Sequence, residues 1–193
     1  RFPSNMVVGQ AEQWYKMNKA TNLEEFKEAQ QMQQLSSLTT VYADKVGNIL
    51  FIDNGLFPYR NPDYDWQKIV PGNTSASLWQ PPFMPMDSIL MIENPSSGYV
   101  YHTNGSGFKS TGEADQPNPK DYNPTMGYLE AATPRQIHFQ KLIKAYDKLS
   151  YDDLKRIKYD KKRDLPLYAP VAENWDNIRL LSPQKYPKLA DIL

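Results

Sequence analysis

Apolar residues recur at helical spacing from Gln10 to Ala20, with Trp14 and Met17 on one face. Thr21-x-x-Glu24 has the form of a capping box that restarts a helix, and Leu23, Phe26 and Met32 carry the apolar stripe on to about Gln34. The period then shortens. Leu38 to Ala43 is rich in β-branched residues and predicts a strand, Asp44-Lys45-Val46-Gly47-Asn48 is turn chemistry, and Ile49 to Ile52 predicts the returning strand of a hairpin. From Phe57 to Met86 periodicity vanishes under Pro58, Pro62, Pro71, Pro81, Pro82 and Pro85. A loop that long is usually functional or wraps another part of its protein. Ser88 to Ile92 and Tyr99 to Thr103 predict two more short strands around Asn94-Pro95, and residues 105–132 form a second irregular stretch. Thr133-Pro134 caps a helix with Phe139, Leu142, Ile143, Tyr146 and Leu149 at helical spacing; Ser150-x-x-Asp153 caps another to about Tyr159. The remainder is proline-broken, with room for one terminal turn, and no internal repeat is present. Helices, short antiparallel strands and long proline-rich loops together predict an α+β chain.

One segment places a polar group with unusual care. The predicted strand Tyr99 to Thr103 leaves the Pro/Gly turn of Asn94-Pro95-Ser96-Ser97-Gly98 and delivers Asn104 onto a bend flanked by Gly105 and Gly107. That fixes one amide donor at the rim of a sheet, with room for a ligand beside it. His102, two residues earlier, would share its strand face, either ordering a site or packing against the sheet. His138, inside the amphipathic helix, reads as structural.

Composition narrows the function. The chain has 193 residues, 40% hydrophobic and 23% charged, which are globular values. Its 22 basic and 22 acidic residues balance, so no basic field exists to hold nucleic acid or an anionic membrane. Sixteen prolines and 13 tyrosines suit long, ordered, aromatic-padded loops. Cysteine is absent, which excludes disulfides, thiolate catalysis and cysteine-ligated metals. Two separated histidines without clustered carboxylates make no transition-metal site. No apolar run approaches the roughly 20 residues of a membrane span. There is no Gly-x-Ser-x-Gly elbow, phosphate loop or His-Glu-x-x-His, and Glu24/Glu25 and Asp152/Asp153 fall on exposed helix faces. The chain by itself lacks a complete set of catalytic parts. It opens on Arg1-Phe2-Pro3 and stops after Asp191-Ile192-Leu193 in a stretch of helical spacing, so both ends are expected to be cut from a larger polypeptide.

Thr40-Val41-Tyr42-Ala43-Asp44-Lys45-x-Gly47-Asn48-Ile49, then Gly55-x-x-Pro58-x-Arg60, Val70-Pro71-Gly72, and Asn94-Pro95-x-x-Gly98-Tyr99 with Asn104 lie in the order and approximate spacing of a known family. Over Gln10 to Ile157 the chain resembles the β-subunit of the penicillin acylase family, N-terminal-nucleophile amide hydrolases that include penicillin and acyl-homoserine-lactone acylases. The resemblance implies a four-layer αββα sandwich, of which this chain is one piece. It implies a serine nucleophile, exposed by autocatalytic cleavage, whose own α-amino group is the base. It implies that Asn104 supplies a side-chain donor to the oxyanion hole and that Arg135, at the start of the following helix, orders the active site. On its own Arg135 reads equally well as a surface arginine at a helix start. No cofactor is implied for catalysis. Several relatives hold a structural calcium, for which Asp115 is the nearest candidate ligand, although the loop here is longer than in the penicillin enzymes.

Ser4-Asn5-Met6 looks like the start of a mature β-subunit, but relatives place a much longer segment between that serine and the Tyr-Ala-Asp hairpin. The nucleophile is therefore expected upstream of this chain. The expected partners are the rest of the same precursor (α-subunit and remaining β-subunit) and a small-molecule N-acyl substrate, with no nucleic acid and no membrane. Relatives are exported, which implies a periplasmic or secreted protein. The rival reading is a non-catalytic binding or scaffold module on the same fold.

Overall fold

The computed structural model describes residues 6–35, 37–66 and 68–162. The chain divides into two compact units, Arg1–Ala132 and Thr133–Leu193. Ser4 and the proline-broken end expected to hold a terminal turn lie outside the described residues.

The first unit is built on a three-stranded antiparallel sheet of order β1-β2-β3, with β1 Leu38–Ala43, β2 Ile49–Asn54 and β3 Met91–Glu93. The predicted hairpin forms with Val41 opposite Phe51 and Ala43 opposite Ile49. Its turn is closed by Asp44, whose Oδ1 accepts from the backbone N–H of Val46 at 3.0 Å and of Asn48 at 2.9 Å. β2 is the buried centre: Leu50, Phe51 and Ile52 are each 0% exposed. Alternation sends them to opposite faces. Leu50 and Ile52 pack with Leu23, Phe26, Met84, Met86, Ile89 and Met126; Phe51 packs with Leu90, Ile92 and Phe108. Each such buried side chain contributes about 1.5–3 kcal/mol.

Helices α1 (Gln10–Lys19) and α2 (Leu23–Gln30) supply the first of these layers. Two local expectations shift. The cap of α2 falls one residue later than predicted: Asn22 Oδ1 accepts from Glu25 N at 2.9 Å, and the Glu25 carboxylate accepts from Thr21 N at 2.8 Å. In α1, Met17 packs on the core as expected, but Trp14 is half exposed and Gln13 is the buried residue. The reason is polar. Gln13 Oε1 accepts from the backbone N–H of Gln34 at 2.6 Å and of Leu35 at 2.9 Å, which turns that face of the helix inward.

The two irregular stretches are confirmed as irregular, broken by single 3₁₀ turns such as Ser75–Ser77, Met86–Ser88 and Pro124–Met126. They are tied by a half-buried cation. Arg60 Nη1 donates to the carbonyls of Thr125 at 2.7 Å and Met126 at 3.3 Å, and the guanidinium lies over Trp66 (5.5 Å) and Trp79 (5.0 Å).

Within the second unit, α3 (Pro134–Ile143) is capped by Thr133 Oγ1 accepting from Gln136 N at 3.3 Å, and α4 (Tyr151–Tyr159) by the Ser150/Asp153 capping box. α3 ends before Tyr146 and Leu149, because the chain tightens into i→i+3 bonds at Ala145 and Tyr146. Helices plus a small antiparallel sheet make this an α+β structure.

Candidate functional site

The Asn94–Gly107 segment is secured at its start by two side chains. Asn94, at φ 45°, accepts from Ile49 N through Oδ1 at 2.8 Å and so continues the sheet edge beyond β3. Asp115 closes the turn that follows: Oδ1 accepts from Ser96 N at 3.0 Å and Ser96 Oγ at 2.8 Å, and Oδ2 accepts from Ser97 N at 2.8 Å. Those donors, Ser96 first, hold the Asp115 carboxyl below the usual range.

Tyr99 to Thr103 is not the predicted strand. It runs beside residues 109–111, but the links are mixed: Tyr101 N donates to Ser110 O at 3.0 Å, Tyr101 OH to Lys109 O at 2.6 Å, and Thr111 Oγ1 to Tyr99 O at 2.9 Å. Hydroxyls take the places that backbone amides fill in a ladder, so the arms pair without forming a sheet. The close fit extends to Gly112, where a Cβ would lie 2.5 Å from Ser97 Cβ.

At the tip, Asn104 is exposed at φ 53°, in the left-handed region that asparagine tolerates better than most residues. The glycine-flanked bend expected from sequence is thus present. Strand alternation does not relate His102 to Asn104, however, because no strand connects them. His102 is exposed, with its ring 6.1 Å from that of Phe51. The far arm of the bend is packed tightly. A Cβ on Gly107 would lie 2.4 Å from Leu90 Cδ2 and 2.7 Å from Asp53 Oδ2, which only glycine permits. Phe108, next in the chain, is buried edge-on against Tyr122 (5.3 Å) and Tyr128 (5.7 Å).

Asp53, beneath Gly107, was not singled out from sequence. The signal was available: it follows Phe51 by two on a strand, on the face where Phe51 is wholly buried. Thr39 Oγ1 donates to its Oδ1 at 2.6 Å. Burial pushes its carboxyl above the usual range, against the opposing effects of Thr39 and the charge of His102.

Two of the predicted site residues lie in the first unit, on one segment and the turn at its root. Asn104 occupies the tip of the bend, while Asp115 serves the Ser96–Ser97 turn at the root of the same segment. Arg135 belongs to the second unit, exposed in the first turn of α3. Among the described residues no group of three or more His, Asp or Glu gathers to hold a metal. Asp115 itself accepts from Ser96 and Ser97 through both oxygens, and an ionised carboxylate so placed keeps lone pairs open to a cation. A cavity of about 360 Å³ is lined by Tyr59, Met84, Asp87, Asp121, Tyr122 and Asn123, with Asn104 not on its wall. No described helix is long and apolar enough to cross a membrane.

Comparison with known proteins places this arrangement. Penicillin G acylase of Escherichia coli is 26% identical over 163 residues, covering 83% of this chain and 18% of that protein. The solved thermostable penicillin G acylase from Alcaligenes faecalis shares the fold with a TM-score of 0.57, at 24% identity over 76% of this chain and 24% of its own. The chain therefore spans less than a fifth of the length of the E. coli relative. The sequence profile of the penicillin amidase family matches residues 7–185, nearly the whole chain, and the chain belongs to that family.

Proposed function

We propose that this chain is part of the β-subunit of an N-terminal-nucleophile amide hydrolase, and that it contributes the Asn104 side-chain amide to the oxyanion hole. In acyl transfer a serine attacks the amide carbonyl, and negative charge develops on its oxygen. A donor held about 2.7–3.1 Å from where that oxyanion forms lowers the barrier because it needs no reorganisation at the moment of reaction. The observation that carries the reading is the placement of Asn104: an amide at the exposed tip of a bend whose two arms are fixed by Tyr101 and Gly107, in a chain matched to the penicillin amidase family.

On this reading the nucleophilic serine lies in another part of the parent, as do most of the walls that choose the acyl group. Arg135 orders the active site. The substrate is the amide of an apolar acyl group, of penicillin or acyl-homoserine-lactone type. The rest of the precursor completes the αββα sandwich, covering sheet surface that is open at β1, where Val41 is 47% exposed. A structural calcium, where the parent binds one, takes Asp115 as one of its ligands. The parent works in the periplasm or outside the cell.

Hydrolysis of phenylacetyl and fatty-acyl amides by the processed parent and by this chain alone tests the proposal. The parent is expected to turn over at least one of them and the isolated chain neither. Turnover by the chain alone, or a parent inert towards both, contradicts it.

A further inference from the structure

β2 follows strand alternation, and Asp53 takes a place that alternation gives to a buried apolar residue. Thr39, from β1, donates to Asp53 Oδ1 at 2.6 Å. Tyr128, whose hydroxyl accepts from Leu90 N at 3.0 Å, is close enough to feel the same charge, and His102 provides the favourable one. Partial burial works against the charged form of this half-buried carboxylate, which marks Asp53 as a candidate for a role besides folding.

What lies over Asp53 is the bend that carries Asn104. Gly107 rests on Asp53 Oδ2 and Leu90 with no space for a side chain, and it stands three residues after Asn104. His102, whose charge interacts with Asp53, stands two residues before Asn104, on the other arm. One side chain on the most buried strand of the sheet thus lies under the arm that follows Asn104 and within electrostatic reach of the arm that precedes it.

We propose that Asp53 is a positioning residue for the Asn104 amide, setting the height of the bend by contact with Gly107. The inference rests on the reading of Asn104 as an oxyanion donor. Donors of this kind work only within about 0.5 Å of the productive geometry, so a support under the bend bears directly on rate.

The test is a double-mutant cycle in the processed full-length parent, with kcat and KM measured on whichever of the phenylacetyl and fatty-acyl amides it hydrolyses. Asp53→Asn keeps the shape and the acceptor for Thr39 and removes the half-buried charge. It is expected to lower kcat about 10- to 100-fold with KM within about twofold, the signature of a displaced catalytic group. In an Asn104→Ala background the same change is expected to cost less than about threefold, because the two act as a unit. If Asn104→Ala alone leaves kcat unchanged, the oxyanion reading itself fails. If Asn104→Ala costs activity but Asp53→Asn is silent, or costs the same factor in both backgrounds, Asp53 does not act through Asn104 and the inference is overturned.

Discussion

Removing the cation at Arg60 should loosen two loops at once. Arg60→Met keeps an unbranched apolar stem and deletes the guanidinium that bonds Thr125 O at 2.7 Å and Met126 O at 3.3 Å. The shorter bond, from a charged donor, is worth about 1.5–3 kcal/mol, and the longer one less. The contacts with Trp66 and Trp79 add about 0.5–1 kcal/mol each. Against this stands relief of desolvation, since burial already lowers the pKa of Arg60. The net loss should be about 2–3 kcal/mol. At 1.4 kcal/mol per factor of ten, amide hydrogen exchange in residues 57–66 and 123–128 should quicken about 30- to 100-fold in the processed parent. Segments tied elsewhere, such as β1 and β2, should change little. Arg60→Lys should fall between, because an ammonium cannot place two donors in a fixed plane between two indoles. Exchange within about threefold of wild type in both segments would refute the view that Arg60 holds them.

Gly107→Ala places a Cβ 2.4 Å from Leu90 Cδ2 and 2.7 Å from Asp53 Oδ2, and overpacking of that kind should cost about 1–3 kcal/mol in thermal denaturation; a neutral result would show that the bend yields freely. Asp115 has a folded-state pKa below the usual carboxylate value, so its stabilising effect is complete above about pH 4 and is lost as pH falls through the depressed value. The melting difference between wild type and Asp115→Asn should therefore shrink as pH falls below about 4, and a difference independent of pH would contradict the assignment.

The elements that could be read from sequence are those whose signal is local. The β1–β2 hairpin and its Asp44–Asn48 turn, the Thr133 cap and the Ser150/Asp153 box each rest on residues within a few positions of one another, and each forms as expected. Long-range bonds decided the rest. Trp14 turns outward because Gln13 bonds the backbone of residues 34 and 35, some 20 positions away. Tyr99 to Thr103 has the composition of a strand, yet its partners at 109–111 answer with hydroxyls and carbonyls rather than a ladder. Of the candidate site, the glycine-flanked bend under Asn104 was legible because Gly105 and Gly107 announce it. Asp53 was not, because its meaning depends on Gly107 lying above it, a contact between residues more than 50 apart in sequence.

The central claim is that Asn104 donates to the oxyanion. Its most direct test is kcat for Asn104→Ala in the processed parent, on an amide the parent hydrolyses. Loss of one oxyanion donor predicts a fall of about 10²–10³ with KM little changed. A kcat within a few fold of wild type would contradict it.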